Sequence, residues 1–195
     1  MNRFLVFWGL ASPACLGLVA SVLRFYQLDW HPAYFDIWRS FAVYLAYWLL
    51  LGALQGAILF WKFQERRFAY RWFFITGVVG CSIMLLHDLF LLLLGVDTRS
   101  QGALILIFSL PLLAFLGGLL LGLAQFFLIR NHYRASLNSK HLNLRWFVIS
   151  FLSWIVGFTG ILFTFSGTRL LPILLILVAA GTAIKGWFIQ KYLRA

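Results

Sequence analysis

Long apolar stretches separated by short polar turns dominate the chain. Runs of about 20 largely apolar residues, enough for a helix to cross a bilayer's hydrocarbon core, lie near positions 4–23, 40–61, 72–94, 103–129, 146–165 and 170–190. None alternates strictly between apolar and polar residues, as a barrel strand must. Backbone inside hydrocarbon has to satisfy its own hydrogen bonds, which leaves helices. The pattern therefore predicts an all-α polytopic membrane protein, a single transmembrane domain over 1–195 with six spans and both ends on one side. The first run contains Ser12-Pro13-Ala14-Cys15, a distant likeness to a lipoprotein cleavage site. Ser12 and Pro13 are wrong for such a site and the apolar run continues to Leu23, so the segment reads as a retained span.

The spans pair into three related hairpins, at about 3–63, 71–130 and 145–194. Three of them open with a basic residue, an aromatic or apolar run and then small residues: Arg3-Phe4-Leu5, Arg71-Trp72-Phe73 and Arg145-Trp146-Phe147. Each return span carries a polar residue, Gln55, Gln125 or Lys185, five to seven positions before a cationic one, Lys62, Arg130 or Lys191. An arginine precedes each return helix: Arg39, Arg99 and Arg169. The spacing from arginine to polar residue is 16 in the first and third hairpins and 26 in the second, so the middle return helix or loop is longer. Pro111 and Pro172 sit 14 and 13 residues before their polar residues, which pairs the fourth span with the sixth. A lone hairpin cannot satisfy polar groups at midspan, whereas three around a common axis can turn them toward one another. A pseudo-threefold bundle is expected. Gly52 with Gly56, and Gly118 with Gly122, have GxxxG spacing, which predicts close helix packing.

The Gly-Ala-Leu-Gln and Gly-Leu-Ala-Gln segments ending at Gln55 and Gln125, followed by basic turns and Arg-Trp-Phe starts, resemble small multi-pass membrane proteins of bacteria, notably cyanobacteria. Gly56 and Phe126 stand where that pattern usually has tryptophan. The resemblance implies a hairpin architecture in a bacterial plasma (inner) membrane, and no activity.

Composition agrees with the pattern: 63% of residues are hydrophobic and 11% charged, and the mean hydropathy is +0.93. Charge then orients the chain. Arg3, Lys62, Arg66, Arg67, Arg71, Arg130, Arg134, Lys140, Arg145, Lys185, Lys191 and Arg194 fall on one face with a single acid, Glu65. On the other face Arg24, Arg39, Arg99 and Arg169 balance Asp29, Asp36, Asp88 and Asp97. The whole net charge of +11 thus lies on one side, which the positive-inside rule makes cytoplasmic, along with both termini. The expected partners are the bilayer, anionic lipid headgroups on the cytoplasmic face and other membrane proteins; the basic excess is a topology signal and implies no nucleic acid.

Candidate chemistry is sparse. At 1.5 Å per residue, Gln55, Gln125 and Lys185 lie roughly 7–11 Å inside the cytoplasmic boundary, at a common depth. Two glutamine carbonyls there could accept from the lysine and form a site for an anionic headgroup or polar substrate. The structural alternative is packing glue, with a lysine that snorkels outward. A second, outer cluster comprises His87 and Asp88 with Arg39, Arg99 or Arg169 as ion-pair partners. An intramembrane carboxylate is a functional hypothesis by default, here set against a sealing ion pair. Positions 24–39 are rich in aromatics and read as an interfacial segment closing one end of the bundle. Cys15 and Cys81 lie inside spans and behave as small hydrophobes, with no CxxC and no metal-ligand spacing. A lone His87 argues against bis-histidine haem, so no cofactor or metal is assigned.

Hydrolase, zinc-peptidase and phosphate-loop motifs are missing, and no catalytic residue is assigned. The leading expectation is a non-enzymatic accessory, assembly or scaffold subunit. The rivals are a small transporter or lipid- or small-molecule-binding component using the Gln55, Gln125 and Lys185 layer, and an intramembrane lipid-modifying enzyme. A continuous polar cavity joining that layer to Asp88 would separate them.

Overall fold

The computed structural model describes residues 2–25, 37–93, 98–132, 146–153, 155 and 171–193. Its elements are all helical: α1 (Arg3–Phe25), α2 (Ile37–Phe63), α3 (Arg66–Phe74), a π-helical turn (Ile75–Val79), α4 (Gly80–Leu93), α5 (Thr98–His132), α6 (146–153) and α7 (Leu171–Leu193). Backbone at both ends of the π turn is right-handed helical. Hence α3, the π turn and α4 are one rod, and the described residues form six rods. Three stretches are long and apolar enough to cross a membrane, Ala42–Phe63, Arg66–His87 and Phe115–His132, and Arg3–Val19 is a shorter apolar helix. Most of the run at 146–165 and positions 26–36 of the aromatic outer segment lie outside the described residues.

The third rod begins at Arg66, six residues before the expected start. Arginine is a good helix former, and the next turn carries Phe68 and Ala69, both buried against the bundle. Burial of those side chains draws the basic turn into the helix. Between α2 and α3 only Gln64 and Glu65 remain, and so short a connection forces antiparallel neighbours. Gln64 takes the left-handed conformation at φ 59° that ends many helices. Its backbone N–H donates to Phe60 O at 2.8 Å and its Nε2 to Trp61 O at 2.9 Å, so carbonyls left open at the end of α2 are satisfied. Glu65 is paired with His132 at the end of α5, and the His132 ring also lies 4.9 Å from that of Phe68. The turn is thereby fastened to a third helix.

Contacts run from each rod to the next and return to the first. α1 packs on α2, α2 on α3 and α4, α3 and α4 on α5, and α7 on α1. α5 meets α6 through Trp146 Nε1, which donates to Gly122 O at 2.8 Å, and α6 meets α7 through Ser153 Oγ, which donates to Gly181 O at 3.1 Å. The GxxxG pairs are where backbones come closest. A Cβ on Gly52 would lie 2.8 Å from Phe73 O, and one on Gly118 would lie 2.7 Å from Phe151 Cα. Both pairs thus serve packing inside the chain, as their spacing predicts.

Two apolar clusters fill the interior. One joins Phe4 and Trp8 of α1, Leu59 of α2, Trp72 of α3, Phe126 of α5, Trp146 of α6 and Ile189 of α7, so every rod contributes. The other joins Leu16, Trp48, Met84, Leu121 and Val178, with Cys15 and Cys81 inside it as buried free thiols. Asn2 ties the two extremes of the chain together. Its Oδ1 accepts from Phe4 N at 3.2 Å as a cap on α1, while its Nδ2 donates to Gln190 Oε1 at 2.5 Å.

Candidate functional site

The three polar residues at the predicted common depth are all buried, with 6% of Gln55, 1% of Gln125 and 7% of Lys185 exposed. Each is held by a neighbouring helix. Trp72 Nε1 donates to Gln55 Oε1 at 2.9 Å, linking α3 to α2. Gln125 Nε2 donates to Thr76 Oγ1 at 3.0 Å, linking α5 to the π turn. Lys185 Nζ lies over the ring of Trp146, 5.4 Å from its centroid. The expected arrangement, with glutamine carbonyls accepting from the lysine, is not the one formed. An indole N–H reaches the Gln55 carbonyl first, and an aromatic face takes the ammonium position.

Three tryptophans connect these contacts. Trp8, Trp72 and Trp146 are each at most 1% exposed. Trp72 abuts Trp8, with ring centroids 5.7 Å apart. Trp8 in turn lies against Gly186, where a Cβ would stand 2.4 Å from Trp8 Cδ1. Gly186 follows Lys185, Lys185 covers Trp146, and Trp146 bonds to Gly122, just before Gln125. A path of direct contacts and chain neighbours thus leads from Gln55 through Trp72 and Trp8 to Lys185, and on through Trp146 toward Gln125.

One helical turn beyond each tryptophan stands a buried hydroxyl: Ser12, Thr76 and Ser150, at 5%, 1% and 0% exposure. Ser12 Oγ shares a hydrogen bond of 2.7 Å with Tyr47 Oη, and Thr76 accepts from Gln125. Ser150 Oγ, Gln125 Oε1, Trp8 Nε1 and Gln190 Nε2 are buried without a hydrogen-bond partner among the described residues. The Arg-aromatic starts point to Phe4 rather than Trp8 in the first hairpin. The spacing Trp-x-x-x-Ser/Thr at 8 and 12, 72 and 76, 146 and 150 was the available signal.

The Gln125 to Thr76 bond yields a direct prediction. Thr76→Ala leaves the whole Gln125 amide buried without a partner, and should lower stability in detergent by about 0.6–1.7 kcal/mol. Thr76→Ser keeps the hydroxyl and should recover most of that loss. Equal unfolding midpoints for both variants would show that the methyl group, not the bond, matters.

The outer cluster divides differently. His87 is half-buried on α4, and Asp88, Arg39 and Arg99 stand on α4, α2 and α5. The side chains of those last three lie outside the described residues, as does the whole of Arg169. No three His, Cys, Asp or Glu side chains converge as metal ligands among the described residues. Compared with protein-family models, curated proteins and solved structures, the chain matches none of them.

Proposed function

We propose that this chain is a six-span protein of a bacterial plasma membrane, with both termini cytoplasmic and three hairpins around a pseudo-threefold axis, acting as a non-enzymatic scaffold or assembly subunit. The order of contacts, each rod on the next and α7 back on α1, supports the closed arrangement. Duplication is supported by the Trp8, Trp72 and Trp146 set, each backed by a hydroxyl one turn on and lying against another hairpin's return helix.

One observation carries the functional reading: each polar side chain of the inner layer is engaged with a neighbouring helix. Gln55 holds Trp72, Gln125 holds Thr76 and Lys185 covers Trp146. Buried polar contacts of this kind fix the register of packed helices in a bilayer. The outward faces offer apolar side chains such as Leu10, Phe74, Leu86, Phe127 and Trp187, suited to lipid tails or to another membrane protein.

The test is the state of the protein taken from its native membrane in a mild detergent. A scaffold should be recovered with at least one other membrane polypeptide at fixed stoichiometry, measured by native mass spectrometry after cross-linking in place. Recovery only as a 22.4-kDa monomer would overturn the proposal. A second reading, a small polar ligand in the inner layer, is favoured by Gln125 Oε1 and Ser150 Oγ, both buried without partners among the described residues. It requires Ser150→Ala, which breaks no hydrogen bond among the described residues, to weaken ligand retention while leaving the unfolding midpoint unchanged.

A further inference from the structure

On the outer side of α2 and α3 the bundle carries an open cleft of about 720 Å³. Ala53, Gly56 and Ala57 of α2 and Ala69 of α3 line it, with Tyr70 and Phe73 rising beside them. The helices lie close here, since a Cβ on Gly56 would be 3.0 Å from Ala69 O. The stretch from Ala53 to Phe60 gives the cleft a length of about 10 Å along α2.

Its end nearest the Gln64–Glu65 turn is different in kind. Arg66 and Arg67 line it and both are exposed. The Arg66 guanidinium stands 5.8 Å from the centroid of the Phe60 ring, which holds it over the cleft. Among the described residues neither arginine is in an ion pair, because Glu65, the nearest acid, is taken by His132. Both cations also occupy the first turn of α3, which has no acid and no side-chain cap. Positive charge is disfavoured at a helix N-terminus. An anion between the two guanidiniums relieves their mutual repulsion and that penalty together.

An apolar cleft that ends in two guanidiniums, unpaired among the described residues, matches an amphiphile with an anionic head. The geometry points to a bound anionic phospholipid, one acyl chain lying on Ala53, Gly56 and Ala57 and its phosphate held by Arg66 and Arg67. This assignment rests on the membrane-spanning reading, in which the cleft faces hydrocarbon and the arginines meet headgroups on the basic side, where anionic lipid draws such clusters.

The full chain, purified and stripped of lipid in detergent, is titrated with phosphatidylglycerol and with phosphatidylcholine of the same acyl chains, and retained lipid is counted by native mass spectrometry. One phosphatidylglycerol should be retained in preference to phosphatidylcholine. Arg66→Gln with Arg67→Gln should weaken that retention about 10- to 30-fold. Ala57→Trp, placed at an exposed position of the cleft, should weaken it with both arginines intact. Arg130→Gln with Lys191→Gln removes the same charge from exposed sites elsewhere and should bind as wild type. Equal retention of the two lipids, equal loss in the control pair, or unchanged binding by Ala57→Trp would each overturn the site. If the arginine variant fails to fold, the tryptophan variant and the control pair still decide. Carbonate washing of native membranes separates the two levels: a released chain sinks the membrane reading, whereas a retained chain without lipid preference sinks only this site.

Discussion

Replacing Gly118 with alanine should lower the unfolding free energy by about 1–3 kcal/mol, a loss typical of overpacking. The added carbon would stand 2.7 Å from Phe151 Cα and 3.2 Å from Phe151 N. Those are backbone atoms, which cannot swing aside as a side-chain tip can, so α5 and α6 must move apart. The cost spreads because Trp146, one turn earlier on α6, would lose its grip on Gly122 O. Gly17→Ala is the matched control. It lies within α1 with nothing inside 4 Å of the new carbon, and alanine is a better helix residue than glycine by up to about 1 kcal/mol. Denaturant unfolding in detergent should therefore move the two midpoints in opposite directions. Identical midpoints would mean that α5 and α6 do not approach as described.

The second large effect is expected at Trp72. Trp72→Ala removes a fully buried side chain that touches Trp8 and Phe68, and should cost about 3–5 kcal/mol. Trp72→Phe keeps an aromatic ring but strands the Gln55 carbonyl, with an expected cost of about 0.6–1.7 kcal/mol. A double-mutant cycle isolates that part. In a Gln55→Leu background the indole N–H has no acceptor to lose, so the same tryptophan change should cost markedly less. A cost that persists in full would show that Gln55 is not the partner that matters.

Much of the architecture is legible in the order of residues, because a bilayer leaves few solutions for long apolar runs. Helices at each described run follow from that, as does the inward packing of Gly52 and Gly118. The burial of Gln55, Gln125 and Lys185 is what the cost of polar groups in hydrocarbon leads one to expect of the six-span reading. Their partners do not. Which atom meets the Gln55 carbonyl depends on how far α2 and α3 rotate about their axes, and apolar periodicity is nearly blank where almost every position is apolar. The π turn at Ile75–Val79 is hidden for the same reason: one additional residue in a turn leaves no mark on an unbroken Ile-Thr-Gly-Val-Val run. The early start of α3 was masked by charge, since Arg66 and Arg67 read as loop residues until Phe68 and Ala69 are seen to be buried beneath them. Trp8 is inconspicuous in the sequence because Arg3-Phe4 is the plainer likeness to Arg71-Trp72, although the hydroxyl four residues later favours Trp8.

The bond from Asn2 to Gln190 spans 188 positions, and this has a consequence for biogenesis. At roughly 5–20 residues per second of translation, α1 emerges from the ribosome about 10–40 s before its final neighbour exists. In the six-span reading it must wait in the lipid with Trp8 uncovered on the side that α7 will later seal. A nascent chain halted before α7 is therefore a bundle with an open seam, the form on which an insertase or a membrane quality-control protease would act.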